Sequence, residues 1–235
     1  NVYPKEFENE IVETIYFGGG TPSVLSKNEL SSILNALYNQ YTIATNAEIT
    51  FECNPDDVSL SYLADLKSLG VNRLSIGVQS FKDDHLKWMN RSHDTSQVIN
   101  GLNNTKDAGF ENISLDFIYG TPKNLSRDYK SELLEILKFN PTHLSCYHLT
   151  IEDGTYFGHL EKKREIKRIE DDISQEEFLW ISEKLKSKNY KHYEISNFAV
   201  QGKESFHNSN YWNQSSYIGL GPGAHSFRNN TRRWN

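Results

Sequence analysis

The stretch TIYFGGGTPS, residues 14–23, decides the fold of this chain. The β-branched and aromatic residues at 14–17 are typical of a strand, and the three glycines that follow end it. Glycine adopts backbone conformations closed to other residues but loses the most entropy on folding. Three in a row therefore indicate an unusual turn or a backbone that a ligand approaches closely. The alternative is a tight strand-to-helix turn without any ligand.

The same unit recurs along the chain: a strand, a polar or glycine-rich strand end, and an amphipathic helix. Further strands are predicted at residues 47–53, 73–78, 113–118 and 143–150. A capping box from Ser26 to Glu29 begins the helix after the glycines. Strands that alternate with helices pair in parallel through right-handed crossovers. The first part of the sequence therefore predicts a parallel α/β sheet of the barrel type.

The remainder of the chain has a different character. Residues 161–172 are charged and poor in apolar side chains, which favours a solvated linker or surface loop. A second capping box at residues 174–177 predicts a helix, residues 190–198 a strand, and residues 202–227 a loop-rich region with aromatic anchors. We expect a barrel core over residues 1–160, with the last barrel elements and an extension over residues 161–235.

Composition limits the classes of function. The 235 residues carry a net charge of −6 without a basic block, which argues against nucleic acid as a partner. No apolar run approaches the roughly 20 residues of a membrane span, and no signal peptide is present, so we expect a cytoplasmic protein that is not an integral membrane protein. The two cysteines, Cys53 and Cys146, lack metal-ligand spacing. We expect them to be reduced, half-buried strand residues and predict no metal site.

Ligands of parallel α/β barrels bind where the C-terminal ends of the strands converge. The residues predicted at those ends are Gly18, Gly19, Gly20, Thr21, Glu52, Gln79, Asp116, Tyr147 and Thr150. Glycine backbone, carboxylates and an amide suit a polar small molecule with amine and hydroxyl groups. They do not suit a phosphate, because no lysine follows the glycines. Arg91 is a candidate fork for a substrate carboxylate. A structural ion pair or cap is an equal alternative for Glu52, Asp116 and Arg91.

Histidines give one further candidate. In FHNSNYW, residues 206–212, His207 lies among large aromatic residues in the predicted loop region. Such a composition can sandwich a flat hydrophobic ligand while the imidazole ligates a metal. The alternative is an aromatic loop packed on the barrel. The other histidines are interpreted as surface or satisfied core residues.

Several motifs occur together and in order over nearly the whole chain. They are FGGGTPS at 17–23, ECNP at 52–55, RLSIGVQSF at 73–81, Asn90-Arg91 and LDFIYGTP at 115–122. This set closely resembles the radical S-adenosylmethionine (SAM) proteins of the oxygen-independent coproporphyrinogen III oxidase group. YEISNFA at 193–199 and HNSNYW at 207–212 resemble the HemW branch, the haem chaperones, rather than HemN, the decarboxylating enzymes.

The resemblance implies a fold and a set of site residues. The fold is a partial (β/α)6 barrel with five of six strands, lacking the first strand and the cluster loop, and with a loop-rich C-terminal extension. The residues implied to contact SAM are Gly18, Gly19, Gly20, Thr21, Glu52, Gln79, Arg91, Asp116 and Thr150. His207 is the implied haem ligand, with Asn208, Tyr211 and Trp212 shaping its pocket. Residues 218–224 match the closing glycine-rich loop of the family.

The resemblance also implies cofactors and alternatives. The intact protein is expected to hold a [4Fe–4S] cluster and SAM, and to pass haem as cargo to acceptor proteins. The Cys-x-x-x-Cys-x-x-Cys motif of the family is not in this sequence, so we expect the cluster ligands upstream of Asn1 and this chain alone to be inactive. One alternative is an oxidase that decarboxylates porphyrin propionates by radical chemistry. Another is a SAM-binding module whose radical function has lapsed.

Overall fold

The computed structural model describes Phe7, residues 10–122, Leu125 and residues 127–235. The strands are β1 (Ile11–Phe17), β2 (Thr42–Cys53), β3 (Arg73–Gln79), β4 (Ile113–Tyr119), β5 (His143–His148), β6 (Tyr190–His192), β7 (Asn197–Val200), β8 (His225–Arg228) and β9 (Thr231–Trp234). The helices are α1 (Lys27–Gln40), α2 (Leu60–Ser68), α3 (Asp83–Trp88), α4 (Thr95–Asp107), α5 (Tyr129–Lys138), α6 (Tyr156–Lys162), α7 (Asp171–Lys186) and α8 (Phe206–Trp212).

The main sheet has seven strands in the order β1-β2-β3-β4-β5-β7-β6 and curls into a half-barrel. The first five strands pair in parallel, as predicted, and their predicted positions are confirmed. β7 pairs antiparallel with both β5 and β6. The carboxyl ends of β1 to β5 therefore meet at one edge, where the predicted strand-end residues lie.

Alternation along the strands separates two faces of the sheet. On β2, Ile49, Phe51 and Cys53 join the hydrophobic core beneath the helices. Glu48 and Thr50 alternate with them on the opposite face and are buried as well. Successive strand side chains point to opposite faces, so one face builds the core and the other builds a polar interior. The core face contributes roughly 1.5–3 kcal/mol for each fully buried large apolar side chain.

The helices that cover the sheet begin at side-chain caps. Ser26 and Glu29 form the predicted capping box of α1, and Asp94 forms another with Gln97 at α4. Leu30 and Leu34 of α1 are buried against the sheet. Caps satisfy amide groups that a helix start leaves without a partner, and each contributes about 1 kcal/mol.

Two predictions for residues 171–200 are wrong. The helix α7 begins at Asp171, so Ser174 lies inside it; acidic residues in the first turn complement the helix dipole and extend the helix backward. Residues 190–198 form parts of two antiparallel strands rather than one. The charged run 161–172 is largely an exposed loop between α6 and α7, as predicted, although Ile166 and Ile169 within it are buried.

The loop-rich region after residue 202 also contains regular structure. Residues 206–212 form helix α8 rather than a loop, and β8 and β9 form a hairpin. Cys53 and Cys146 are free thiols, and they are buried rather than half-buried. Within the described part of the chain, no helix is both long and apolar enough to cross a membrane.

Candidate functional site

The polar face of the half-barrel carries a network of side chains from several strands. Ser114 on β4 shares hydrogen bonds with His143 at 2.7 Å and with Ser145 at 3.2 Å, and His143 Nε2 lies 2.8 Å from the hydroxyl of Tyr193. Arg73 at the start of β3 is almost fully buried. Buried polar groups require partners, so this interior is built for polar contacts rather than for a hydrophobic filling. His143 is a satisfied core histidine, as predicted.

The glycines after β1 form an open backbone surface. Gly19 and Gly20 have φ values of 75° and 64°, which glycine adopts without steric cost, and a Cβ on either would meet no atom within 4 Å. Gly18 differs, because a Cβ there would lie 2.5 Å from Tyr16 Cε1 and 2.8 Å from Glu52 Oε1. A side chain at Gly18 would therefore clash with Tyr16 and Glu52, whereas the backbone of Gly19 and Gly20 is open. The exposed Thr21 follows and precedes a short 3-10 turn.

Glu52 lies directly beside this surface. One carboxylate oxygen, Oε2, accepts a hydrogen bond of 3.1 Å from the backbone N–H of Gly19. The other, Oε1, accepts one of 2.7 Å from the hydroxyl of Tyr16. The structure therefore brings Glu52 and the glycine strand end together, as the strand order required. Tyr16 was not predicted as a site residue. It lies two residues from Thr14 on β1, so the two side chains share the polar face.

Gln79 ends β3 on the same edge. Its backbone has a φ of 65°, unusual for a residue other than glycine, and its side chain is buried. Within the described residues its Oε1 atom has no hydrogen-bond partner. A buried amide oxygen without a partner is costly, so its orientation suits a ligand that donates a hydrogen bond.

A buried ion pair holds this strand end. Arg127 donates to the carbonyl oxygens of Gln79 at 3.0 Å and Ile118 at 2.5 Å, and its Nε lies 2.8 Å from Glu132 Oε1. Burial alone raises the pKa of the Glu132 carboxyl, but the hydrogen bond and charge of Arg127 bring that pKa below its ordinary value. Neither residue was predicted from the sequence. Glu132 is four residues before the buried Ile136, and a carboxylate on the buried face of a helix was the available signal.

Asp116 lies in the middle of the interior on β4. Burial raises the pKa of its carboxyl to about 7, and the negative charge of Glu52 adds to this effect. Hydrogen bonds from Ser145 and Ser75 and the charge of Arg73 oppose the rise in that pKa. Asp116 is thus poised to change its charge near neutral pH. Perturbed carboxyl groups of this kind are common at functional sites.

The structure places the two remaining SAM candidates differently. Arg91 is partly buried, which lowers its pKa, and the charge of Asp116 opposes this fall. Arg91 therefore lies near enough to Asp116 for their charges to interact. Thr150 is exposed, and its hydroxyl donates a hydrogen bond of 3.4 Å to the carbonyl oxygen of His148. No contact of Thr150 with the other candidates is seen in the described residues.

Helix α8 packs against β1 and is anchored from inside the half-barrel. The buried carboxylate of Glu48 accepts hydrogen bonds of 3.1 Å from the backbone N–H groups of Phe206 and His207, and one of 3.2 Å from the hydroxyl of Ser205. Ser205 in turn caps the helix by accepting from the N–H of Asn208. Glu48 was not predicted as a site residue, although its alternation with Thr50 and Glu52 indicated a polar face.

His207 of this helix is hydrogen-bonded at both ring nitrogens. Its Nδ1 lies 3.0 Å from the Thr14 hydroxyl and its Nε2 lies 3.0 Å from the Tyr211 hydroxyl. The ring stacks on Tyr16 with centroids 4.8 Å apart. Burial lowers the pKa of His207 to about 4, so its imidazole is neutral at physiological pH. Neutral imidazole is the form that ligates metals, and a hydrogen bond at the second nitrogen fixes its orientation.

The other residues of the aromatic motif do not all surround His207. Tyr211 contacts it edge to face, with ring centroids 5.2 Å apart. The Asn208 side chain hydrogen-bonds to Tyr193 instead. Trp212 is 55% exposed and Phe206 is 68% exposed. The helix therefore presents aromatic surface outward while it holds the histidine inward.

A groove of about 590 Å³ lies beside the start of α8, at the opposite edge of the sheet from the glycines. Phe110 and Phe206 contribute aromatic surface to it, and Lys67, Lys203 and Glu48 contribute charge. Lys67 donates to the carbonyl oxygens of Ala108 and Gly109, both at 2.9 Å. This mixture of flat apolar surface and ammonium groups is compatible with an aromatic ligand that carries carboxylates.

The residues at the strand ends and the two cysteines differ in how well they fit the ligands that the family resemblance implies. The open backbone of Gly19 and Gly20 and the unpartnered Gln79 Oε1 fit a ligand with an amino acid moiety. The cysteines do not fit an iron–sulfur cluster, because both are buried and the pKa of Cys53 is raised by burial to about 12. Across the described part of the chain, no group of at least three His, Cys, Asp or Glu residues is arranged to hold a metal ion.

Comparison with known proteins agrees with this fold. A model of the radical SAM superfamily matches residues 4–133, more than half of the chain. The chain belongs to the radical SAM superfamily. Within it, its sequence relatives support the HemW branch of the HemN-like group.

The curated relatives carry the name heme chaperone HemW. The protein from Lactococcus lactis subsp. lactis is 38% identical over 95% of this chain and 59% of its own length. The one from Bacillus subtilis is 36% identical over 95% of this chain and 59% of its own length. The chain thus spans about 59% of the length of these relatives.

Solved structures share the architecture. Coproporphyrinogen III oxidase (HemN) from Escherichia coli, a radical SAM enzyme, matches with a TM-score of 0.74 and 25% identity over 92% of this chain and 52% of that chain. Elp3 from Methanocaldococcus infernus matches with a TM-score of 0.56 and 22% identity over 66% of this chain and 41% of that chain, which shows the fold alone. The half-barrel is therefore the radical SAM fold.

Proposed function

We propose that this chain is the SAM-binding and haem-binding part of a haem chaperone that passes haem to acceptor proteins. The observation that carries the proposal is the state of His207. It is neutral, oriented by Thr14, and set in a helix whose aromatic side chains face outward. The likeness to relatives named haem chaperones supports the same function.

For haem, His207 supplies the imidazole through Nε2. The hydrogen bond of that atom with Tyr211 must open when iron is ligated, while the bond of Nδ1 with Thr14 keeps the ring in place. The groove beside α8 contains Phe206 and Lys203 but is not lined by His207, so we assign neither residue to the haem. Asn208 then contacts Tyr193, and Trp212 lies on the outer surface of the helix, so neither is assigned a contact with the iron.

For SAM, the backbone of Gly18, Gly19 and Gly20 and the adjoining Thr21 receive the amino acid end of the ligand. Glu52 and Gln79 accept hydrogen bonds from its amine or hydroxyl groups. Gln79 does so through its unpartnered Oε1 atom, and Glu52 through an oxygen that also accepts from the N–H of Gly19. Asp116 and Arg91 supply opposite charges deeper in the interior. Thr150 is a more distant contact on the same edge.

The superfamily implies a [4Fe–4S] cluster, which when bound supplies electrons to SAM. We propose that its ligands lie outside this chain, because its two cysteines are buried and widely separated. The cluster, SAM cleavage and the acceptor proteins belong to the whole protein and are proposals here. We likewise propose a cytoplasmic location and the domain division at residue 160.

A haem-transfer assay tests the function. The full-length protein, loaded with haemin and freed of excess, is mixed with apomyoglobin, and the myoglobin Soret band is followed. A chaperone transfers haem, and His207→Ala transfers at least tenfold less. Absence of loading or transfer would contradict the proposal. Decarboxylation of coproporphyrinogen III under reducing conditions with SAM would support the oxidase, which the names of the curated relatives do not favour.

A further inference from the structure

A single carboxylate connects the glycine strand end to the interior. Glu52 accepts a hydrogen bond from Gly19 N–H with one oxygen and from the Tyr16 hydroxyl with the other. Burial and the neighbouring charge of Glu52 raise the pKa of Tyr16, so its phenol stays protonated and donates. A ligand that binds at the glycines and hydrogen-bonds to Glu52 therefore affects Tyr16 through Glu52 alone.

Tyr16 also contacts the aromatic helix. Its ring lies at 4.8 Å from the ring of His207, at an interplanar angle of 25°. The same ring packs against Gly18, since a Cβ on that glycine would come within 2.5 Å of Tyr16 Cε1. Tyr16 is thus confined on one side by the glycine segment and on the other by the imidazole. Closely packed groups transmit displacements because they cannot move independently.

The imidazole has little freedom of its own. Its two nitrogens are hydrogen-bonded to Thr14 and Tyr211, and the start of its helix is tied to Glu48. A change in the position of Tyr16 therefore alters the ring orientation or the Tyr211 hydrogen bond. That bond occupies Nε2, the atom that the proposed haem ligation needs.

We propose that Tyr16 is a positioning residue that couples the two sites, so that SAM at the glycine strand end increases the affinity of His207 for haem. This inference rests on the proposed function. When a ligand amine and the Gly19 N–H both hold Glu52, the carboxylate fixes the Tyr16 hydroxyl and the stacked imidazole in one orientation. By linkage, haem must increase the affinity for SAM by the same factor.

The expected effect is about tenfold, within the range of roughly 5–150-fold that is usual for coupling between sites. The full-length protein is titrated with haemin, with and without saturating SAM, and the Soret band gives the ratio of the two dissociation constants. Wild type should show a ratio of about ten. Tyr16→Phe keeps the ring but removes the hydroxyl, and its ratio should be about one, whatever its affinity without SAM.

Tyr38→Phe is the matched control, because Tyr38 is an exposed residue of α1, and it should keep the full ratio. A ratio of one in wild type, or an unchanged ratio in Tyr16→Phe, would overturn the coupling while leaving haem binding intact. Failure of wild type to bind haemin is a separate result that overturns the proposed function.

A second measurement does not need haem. The ¹⁵N imidazole signals of His207, assigned by comparison with His207→Asn, are followed during a SAM titration. The coupling predicts a shift of these signals in wild type that is lost in Tyr16→Phe and retained in Tyr38→Phe. Signals that SAM leaves unchanged in wild type would overturn the inference independently of any haem affinity.

Discussion

Arg127 donates a hydrogen bond of 3.0 Å to the carbonyl oxygen of Gln79, so a buried guanidinium sets the end of β3. The same guanidinium contacts Ile118 at the end of β4 and is paired with Glu132. Two neighbouring strand ends are thereby fixed by one side chain. The left-handed backbone of Gln79 is stable because its carbonyl group has this partner.

Arg127→Ala should therefore destabilise the protein strongly. The change leaves Glu132 buried without its cation, which costs about 3–5 kcal/mol of unfolding free energy. Lys138→Ala is the control, since Lys138 is 66% exposed in its ion pair with Glu135 and such pairs contribute less than about 1 kcal/mol. Chemical denaturation measures both. Equal small losses for the two variants would show that the buried pair does not hold the strand ends.

Glu48→Ala should release the start of α8. The backbone N–H groups of Phe206 and His207 lose their acceptor, and we expect a loss of about 1–3 kcal/mol in unfolding free energy. Hydrogen exchange of those two amides should accelerate at least tenfold. Glu13→Ala, an exposed change on β1, is the control. Unaltered amide protection in Glu48→Ala would contradict the anchoring.

Asp116→Asn should change how stability depends on pH. Because the folded pKa of Asp116 is raised to about 7, the native protein keeps a proton that the unfolded chain releases from about pH 4 upward. The free energy of unfolding of the wild type therefore falls as the pH rises from about 4 to about 7. The stability of Asp116→Asn relative to wild type should increase by about 4 kcal/mol between pH 4 and pH 8.

Asp107→Asn, at an exposed end of α4, provides the control for that pH series. Unfolding free energies from urea titrations at several pH values supply the comparison. A constant difference between Asp116→Asn and wild type across the series would argue that Asp116 is ionised in the native protein throughout.

Gly18→Ala should be unfavourable because of contacts rather than backbone strain. The added Cβ meets Tyr16 and Glu52, and overpacking of this kind costs about 1–3 kcal/mol. It should also weaken SAM binding by displacing Glu52. Gly154→Ala has a φ of 80° but open space, so it reports the backbone cost alone, about 1 kcal/mol. Normal SAM affinity in Gly18→Ala, by equilibrium dialysis, would disprove this packing.

The parallel strands were predictable because their signals are local. The alternation from Ala47 to Cys53, and the glycines after Phe17, fix strand positions without any tertiary information. Parallel pairing then brings the strand ends to one edge, which is why Gly19, Glu52 and Gln79 could be placed together. The proposal of SAM and haem as the ligands came from the resemblance to the family.

Helix α8 could not be predicted from local signals. Its composition favours a loop, and its anchor, Glu48, lies 157 residues from Ser205 in sequence. The roles of Tyr16 and Arg127 likewise depend on contacts between distant segments. At Ser174 a good capping sequence was overridden, because Asp171 and Asp172 extend the helix by a turn. Tertiary contacts and competing helix starts thus limited the prediction.

The most direct test of haem ligation by His207 is a haemin titration of the full-length, anaerobically reconstituted protein, monitored by the Soret band. The His207→Ala and His159→Ala variants are titrated in the same way. His159 is an exposed histidine of α6 and serves as the control. We expect saturable haemin binding in wild type and His159→Ala, and an affinity at least tenfold weaker in His207→Ala. Equal haemin affinity in all three proteins would contradict the assignment of His207 as the haem ligand.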